Sequence, residues 1–506
     1  MLKTYYFGRS KRLQQASAFL IIVIVAAAGT FLLISGHAAT PYASINADTG
    51  SLANGAAKQA CTGASDGSCV MFGGSGQGGG STLYLSPTGQ DAGSCTQTTP
   101  CLSFNYAYGK AVPGDTVQLA AGVYGGQTIT WDASKANAGS NVTFQPASGA
   151  TVNLTGSIIV QSSHVTFKNM RLVDPSNGNN KYDVEADTYV IGGAQPADPA
   201  AANNVGFITF QNITGRNFNV NGAHDVSIIG GSYGPASACG SGKPSLTQYG
   251  GGNNALRTAL MASGHVDPYN ITVDGVTVHN IMSYDLVGCH TEGVAIFSGS
   301  NVTVRNSKFY GNDVYDILAQ ANSGSGALGQ VTLENNWFAQ STDSGGTGSG
   351  SNGVEFDDNK DISVTNNSFN DGLLFLAGPT FSNVSIIGNI VIGPVYAASS
   401  NGSMCGASGV TAQYNITTAL SGLDCTSSTN TEVSSASSFY ANPSNDTSMD
   451  YSLKSGSSAI SLVPTSASPV TNDIAYHCRP APGQTKIDAG ATELNATGSC
   501  GVPVVP

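Results

Sequence analysis

From Leu83 onward, apolar and polar residues alternate in short bursts, and each burst closes on Asn or Gly. The phrase reads VTFKN at 165–169, ITFQN at 208–212, VSIIG at 226–230 and ITVDG at 271–275. It returns as VTVRN at 302–306, VTLEN at 331–335, ISVTN at 362–366 and VSIIG at 384–388, with looser copies starting at Val142 and Val410. Alternation with period two predicts strands, while the period of an amphipathic helix is nearly absent. Between 302 and 410 successive starts lie 29, 31, 22 and 26 residues apart. A repeat of this size with irregular spacing predicts stacked coils joined by variable loops. One coil cannot bury its inward side chains alone, whereas coils stacked about 4.8 Å apart build a continuous core. Val302 and Val304 are therefore expected to face inward, with Ile362 and Val364 above them. The closing Asn or Gly turns the chain, and stacked Asn amides are expected to hydrogen-bond along the solenoid axis.

Both ends of the repeat region carry further signals. The opening reads LYLSPTGQDAGSC, then PCLSFNYAYGKAVPGDTVQLAAGVYGGQTI; the exit reads DYSLKSGSSAI at 450–460, then KIDAGATE at 486–493. With the repeats between them, these phrases make Leu83–Glu493 resemble the pectate-lyase-like right-handed parallel β-helix superfamily, in its bacterial surface or secreted branch. The resemblance implies an all-β fold, a single-stranded right-handed parallel β-helix. It implies no one activity, because the superfamily holds lyases, hydrolases, epimerases, tailspikes and adhesins.

The N-terminus predicts export. Lys3, Arg9, Lys11 and Arg12 precede an uncharged apolar run from Ala16 to Ile34, about long enough to cross a bilayer. Gly36-His37-Ala38 offers a small-x-small cleavage pattern, so residues 1–36 read as a signal peptide or a signal-anchor helix. Residues 37–81 are small, polar and Gly-rich and read as a flexible stalk. The β-helix is expected over 82–495, with a C-terminal tail at 496–506. Ten cysteines, none in a CxxC, include close pairs at 61/69, 95/101 and 405/425. Such short loops read as disulfide staples of an oxidising compartment rather than a zinc site. The protein is thus expected outside the cell, secreted or held by one N-terminal helix.

Charged residues are only 10% of the chain and Gly numbers 64, which suits a turn-rich extracellular β-scaffold better than a disordered chain. The formal net charge of −12 argues against nucleic acid and anionic lipid as partners. An anionic glycan would be repelled unless a cation intervened.

Two coils align with a constant offset of 60: residues 293–309 on 353–369. Val294 and Ile296 match Val354 and Phe356 as inward positions, so Ala295, Phe297, Glu355 and Asp357 are expected to face outward. The intervening VYDI segment is expected to place Asp316 beside Glu355. Asp316, Glu355, Asp357 and Asp358 then form an outer-face cluster. Outward neighbours about 4.8–6.6 Å apart suit paired glycosidase carboxylates or oxygens around one calcium ion; a solvated acidic strand end is the plain alternative. The sequence CHTE at 289–292, followed by VYDI, resembles a phrase of uncharacterised bacterial β-helix proteins, H-x-E with a later F/Y-D-I, matched here by His290, Glu292 and Asp316. A His two residues from a carboxylate can move protons near neutral pH; at a turn beside Cys289 it can equally serve only the backbone.

A lyase also needs a cation to neutralise a uronate carboxyl. Arg257, Arg305, Lys308 and Lys360 lie in the right stretch, yet the basic constellations of pectate lyases are absent, as is the motif series of polygalacturonases apart from Asp357-Asp358. Insertions at 174–204 and 234–265 are expected to project as loops, with Tyr249, Tyr269 and Tyr284 available to stack on sugars. Two readings follow. One is a polysaccharide-binding protein, a lyase or glycoside hydrolase with its groove over residues 285–375. The other is a non-catalytic adhesin or structural envelope protein.

Overall fold

The computed structural model describes residues 80–173, 204–238, 267–283, 291–321, 328–341, 360–375, 381–397, 409–419, 429–435 and 439–500, together with short strands at 57–60, 68–71, 184–187, 256–259 and 352–357. The expected anchor or signal segment, His290, Asp358, Tyr249 and Tyr284 lie outside them. Among the described residues no helix is long and apolar enough to cross a membrane. The chain divides into two compact units at Gly78/Gly79. The first contains an antiparallel pair, Ala57–Ala60 with Ser68–Met71.

The second unit is a parallel β-helix. Each full coil contributes three strands. One lies in a twelve-stranded parallel sheet, and the others in two runs of a nineteen-stranded one. The repeat phrases supply the first strand and stack in the register their alignment predicts. Val165 pairs with Ile208, Ile208 with Val226, Val226 with Ile271 and Ile271 with Val302. From there Val302 pairs with Val331, Val331 with Ile362 and Ile362 with Val384. These residues and those two further on (Val304, Leu333, Val364, Ile386) are buried in one continuous core. Period-two alternation thus becomes two inward columns, each closed by the coil above and below.

The residue closing each phrase turns the chain into the second strand. Asn169, Asn212, Asn306, Asn335 and Asn366 all take positive φ, as do Gly230, Gly275 and Gly388. Asn and Gly occupy that left-handed region at the least cost, and they close the eight regular phrases, while the looser copy from Val410 turns on Tyr414 at φ 57. The residue after the turn forms a buried ladder. Asn336, Asn367 and Asn389 each donate a backbone N–H at 2.9 Å to the side-chain oxygen of the Asn in the next coil, and Asn415 continues it to Asn430. Phe309, Phe338 and Phe369 stack beside it at 4.9 and 4.5 Å.

The first end of the solenoid is covered and one side of its later coils is overlaid. The helix Phe104–Lys110, capped by Ser103, buries Phe104, Ala107 and Tyr108, and Phe104 stacks on Phe144 at 5.1 Å. The C-terminal residues 439–493 instead run back along the side of the coils, from Tyr476 on Asp274 to Asp488 on Asn366, and form a second apolar cluster with Trp337, Ile390 and Ile416. Its polar centre is Arg479, which donates to the carbonyls of Asp488 and Gly490. Two disulfides occur among the described residues, Cys95–Cys101 and Cys478–Cys500.

Candidate functional site

The third strand of successive coils forms the face that carries the predicted site. Leu256–Ala259, Glu292–Ile296, Tyr315–Ala319, Asn352–Phe356 and Leu373–Phe375 stack in parallel. Val294, Ile317, Val354 and Leu373 fill one inward column, and Ile296, Ala319, Phe356 and Phe375 the next. Alternation sends Ala295, Leu318 and Glu355, which share a rung row, to the outer side. Outward does not mean open here: Ala295, Phe297, Val314, Tyr315 and Leu318 form a separate buried apolar cluster. The Arg257 guanidinium sits over the Phe297 ring at 5.1 Å.

Beside that cluster lie the carboxylates. Tyr315 pairs with Glu292 across one rung, and its hydroxyl donates to Glu355. Burial first, then Glu355, Glu292 and Asp357, push that hydroxyl well above the ordinary tyrosine range. Glu292, Tyr315 and Glu355 are nearly inaccessible, while Asp357 is half-buried and accepts a short hydrogen bond from the Gln320 amide. The structure therefore brings Glu292, Glu355 and Asp357 around one tyrosine. Within the VYDI segment, the sequence pattern alone assigns Tyr315 no role. A Tyr one rung from Glu292 whose hydroxyl reaches Glu355 is an unusual residue to bury.

Asp316 is not part of this group. The expected pairing with Glu355 belongs to Leu318, and Asp316 faces the interior. The cause is an irregularity at the strand start, where register is kept by Tyr315 with Asn352 and by Ile317 with Val354, skipping the residue between. A Cβ at the equivalent Gly293 would meet Asp316 O and the Val278 side chain; one at Gly353 would meet Asp371 and Phe369. Two successive residues, Asp316 and Ile317, thus point inward, and simple alternation fails there. Inside the corner Asn312 donates to Asp316 at 2.8 Å. Burial pushes the Asp316 carboxyl well above the usual range, against that bond, and Asp371 adds to the rise.

Asp371, which the sequence reading did not single out, accepts backbone N–H bonds from Ser341 and Gly372, each 2.7 Å. Burial outweighs these and pushes its carboxyl up to about 6. A folded-state value above the unfolded one, about 3.9, means that stability is full below about pH 4 and falls as pH rises through about 6. Asp371→Asn is therefore expected to flatten the stability–pH curve between about pH 4 and 6, read by thermal melts in a buffer series. A slope unchanged by the substitution would contradict this.

Among the described residues no group of three or more His, Cys, Asp or Glu side chains is placed to hold a metal ion. With Asp316 turned inward, the expected calcium set reduces to Glu355, Asp357 and Asp358, the last outside the described residues. The Tyr315 hydroxyl bears on Glu355 directly, and a hydrogen bond to a charged group contributes about 1.5–3 kcal/mol. Tyr315→Phe is accordingly expected to lower any turnover that uses Glu355 by about ten- to a hundredfold with the fold intact. Steady-state kinetics with circular dichroism as control would check it.

No protein-family model matches the chain, and no curated protein matches it. Among solved structures it is similar to the pectate lyase Pel9A, at 12% identity and TM-score 0.38 over 81% of this chain and 96% of that one. A rhamnogalacturonan lyase matches at 12% identity and TM-score 0.30, over 67% of this chain and 82% of that one. The A-module of mannuronan C-5 epimerase AlgE6 from Azotobacter vinelandii matches at 16% identity and TM-score 0.30, over 67% and 91%. The stacked parallel coils and the repeat phrases of the chain itself make it a parallel β-helix.

Proposed function

We propose that this protein is an extracellular polysaccharide-acting enzyme that hydrolyses glycosidic bonds in a neutral glycan. The observation that carries the reading is the group of Glu292, Glu355 and Asp357 around the Tyr315 hydroxyl on the outer face of three successive coils. Glu355 and Asp357 stand two residues apart at the end of one strand, roughly 6.6 Å between Cα atoms, close enough for their two carboxyl groups to act on one glycosidic bond. Glu355, accepting from Tyr315, suits the base that takes a proton from the attacking water. Asp357, the accessible member, suits the acid that protonates the leaving glycosidic oxygen. The sum is one water added across the C–O bond. A cluster of three carboxylates disfavours an anionic glycan at the point of cleavage. The two disulfides support an oxidising, extracellular setting.

A lyase acting on a uronate is the second reading. It is favoured by Arg257, whose rung row continues through Ala295 and Leu318 to Glu355 and whose guanidinium is the charge such a substrate needs. The two are separated by incubating the full chain with neutral and uronate polysaccharides, following reducing ends and the ultraviolet absorbance of unsaturated uronates together. Hydrolysis predicts reducing ends without new absorbance, unaffected by chelator. New absorbance would make the protein a lyase. Activity lost to chelator and restored by Ca²⁺ would assign Glu355, Asp357 and Asp358 to a cation instead. Neither signal from a broad panel would leave the adhesin or envelope role in its place.

A further inference from the structure

A second cluster lies along the turn that leads into the twelve-stranded sheet, on strands that do not carry the carboxylates. The residue before most of the repeat phrases also takes positive φ. In successive coils these residues are His164, Phe207, Asp225, Asn270 and Asn301, and later Asp361 and Asn383. Asp and Asn are inexpensive there because their side chains bond locally. A phenylalanine at φ +55 is not, and Phe207 leaves 40% of its surface exposed, so burial offsets that strain only in part.

Phe207 is instead the centre of a row of rings. His164 stacks on it at 4.6 Å, and the His224 ring meets it edge-on at 5.4 Å. His224 in turn stacks on Tyr269 at 4.8 Å, with 5° between the planes. The coil between them makes room: any side chain at Gly206 would run into the His224 ring. Two accessible rings, Phe207 and the half-buried Tyr269, are thus each backed by a buried imidazole. A row of polar side chains runs alongside. His224 Nδ1 and Asp225 are 2.7 Å apart, the Asn270 amide donates to Asp225 at 3.0 Å, and the Asn301 amide donates to Asn270 at 2.8 Å.

We propose that Phe207 and Tyr269, with the Asp225–Asn270–Asn301 row, form a carbohydrate-binding strip for a neutral, linear polysaccharide, separate from the carboxylate site. Rigid accessible rings offer stacking area to the apolar face of a pyranose at little entropic cost. The amides and carboxylate beside them offer hydrogen bonds to its hydroxyls. The strip has no Lys or Arg among its members, so a phosphate or uronate polymer finds no complementary charge on it, and a polyhydroxylated uncharged chain does. The proposal shares only the class of ligand with the hydrolase reading. A strip that holds the polymer would keep it on the solenoid while its ends are processed elsewhere.

The test is affinity electrophoresis of the full chain through gels containing xyloglucan, galactomannan or mixed-linkage β-glucan. Parent protein is expected to be retarded by at least one of them, and Phe207→Asn and Tyr269→Ala to weaken that binding about tenfold. Phe207→Asn is the decisive variant, because Asn suits this backbone position. It is expected to melt at or above the parent temperature while losing affinity, which a structural role for the ring would not allow. Cleavage of short oligosaccharides should be unchanged in both variants, and Glu355→Gln should bind the polymer like the parent. Undiminished retardation of Phe207→Asn and Tyr269→Ala, or no retardation of the parent by any neutral polymer, would overturn the strip. Neither result touches the hydrolase reading, which is read separately by reducing-end release.

Discussion

Glu355→Gln is expected to lower reducing-end release by about 10²–10⁴-fold, the usual contribution of a positioned general base, with little change in KM. The substitution keeps the size and the capacity to accept from Tyr315 while removing the proton acceptor. Glu355 is 3% exposed, so an uncharged amide there does not add to the desolvation cost of folding. Loss of turnover without loss of thermal stability therefore separates chemistry from structure. Asp357→Asn should lower activity by a similar factor, and most for substrates with poor leaving groups, because it removes the proton for the glycosidic oxygen. Asp316→Asn should be nearly silent in turnover, since that carboxyl bonds to Asn312 inside the corner. Equal losses from Asp316→Asn and Glu355→Gln would mean that the outer-face assignment is wrong.

Asn367→Ala is expected to be the most damaging substitution in the ladder, destabilising its coil by about 3–5 kcal/mol. Its side-chain oxygen accepts both the backbone N–H and the amide of Asn336, each at 2.9 Å. Its own amide donates to Leu333 O at 3.0 Å and to Asn389 at 3.1 Å. Alanine leaves these groups buried with nothing to replace the bonds, at about 1–3 kcal/mol for each one stranded. In a solenoid each coil is stabilised by its neighbours, so the effect should appear first as local opening. Hydrogen exchange is expected to accelerate across residues 331–337 and 384–391 while the strands near Val117 and Val142 keep their protection. Asn301→Ala, at an exposed position in the outer row, should cost only about 1–2 kcal/mol, the strain of alanine on that left-handed backbone.

Most of the architecture was legible because one rule governs it. Period-two alternation closed by Asn or Gly sets strand, inward face and turn together, so Val302, Val331 and Ile362 align in sequence and in space. The offset of 60 between the two site coils holds for the same reason, with Ile317 interposed between Val294 and Val354. The rule fails where the chain rounds a corner. Asp316 follows Tyr315 with both flanking residues in register, and only the glycines at 293 and 353 mark the position as one that turns inward. Those glycines were visible, but without the coil geometry they read as ordinary strand punctuation. Phe207 was hidden differently: it precedes a repeat phrase and scores as one more strand aromatic, and its left-handed backbone is a property only of the folded coil. Glu355 faces outward as alternation predicts because it lies inside the strand Asn352–Phe356, with Asp357 just past its end.

The most direct measurement is a crystal structure of Glu355→Gln with a neutral oligosaccharide that the parent cleaves. The scissile bond is expected over the strands Tyr315–Ala319 and Asn352–Phe356. Its glycosidic oxygen should lie within about 2.6–3.2 Å of the Asp357 carboxyl, with residue 355 still bonded to Tyr315. An oligosaccharide seated on another face, with Asp357 and Tyr315 untouched, would contradict it.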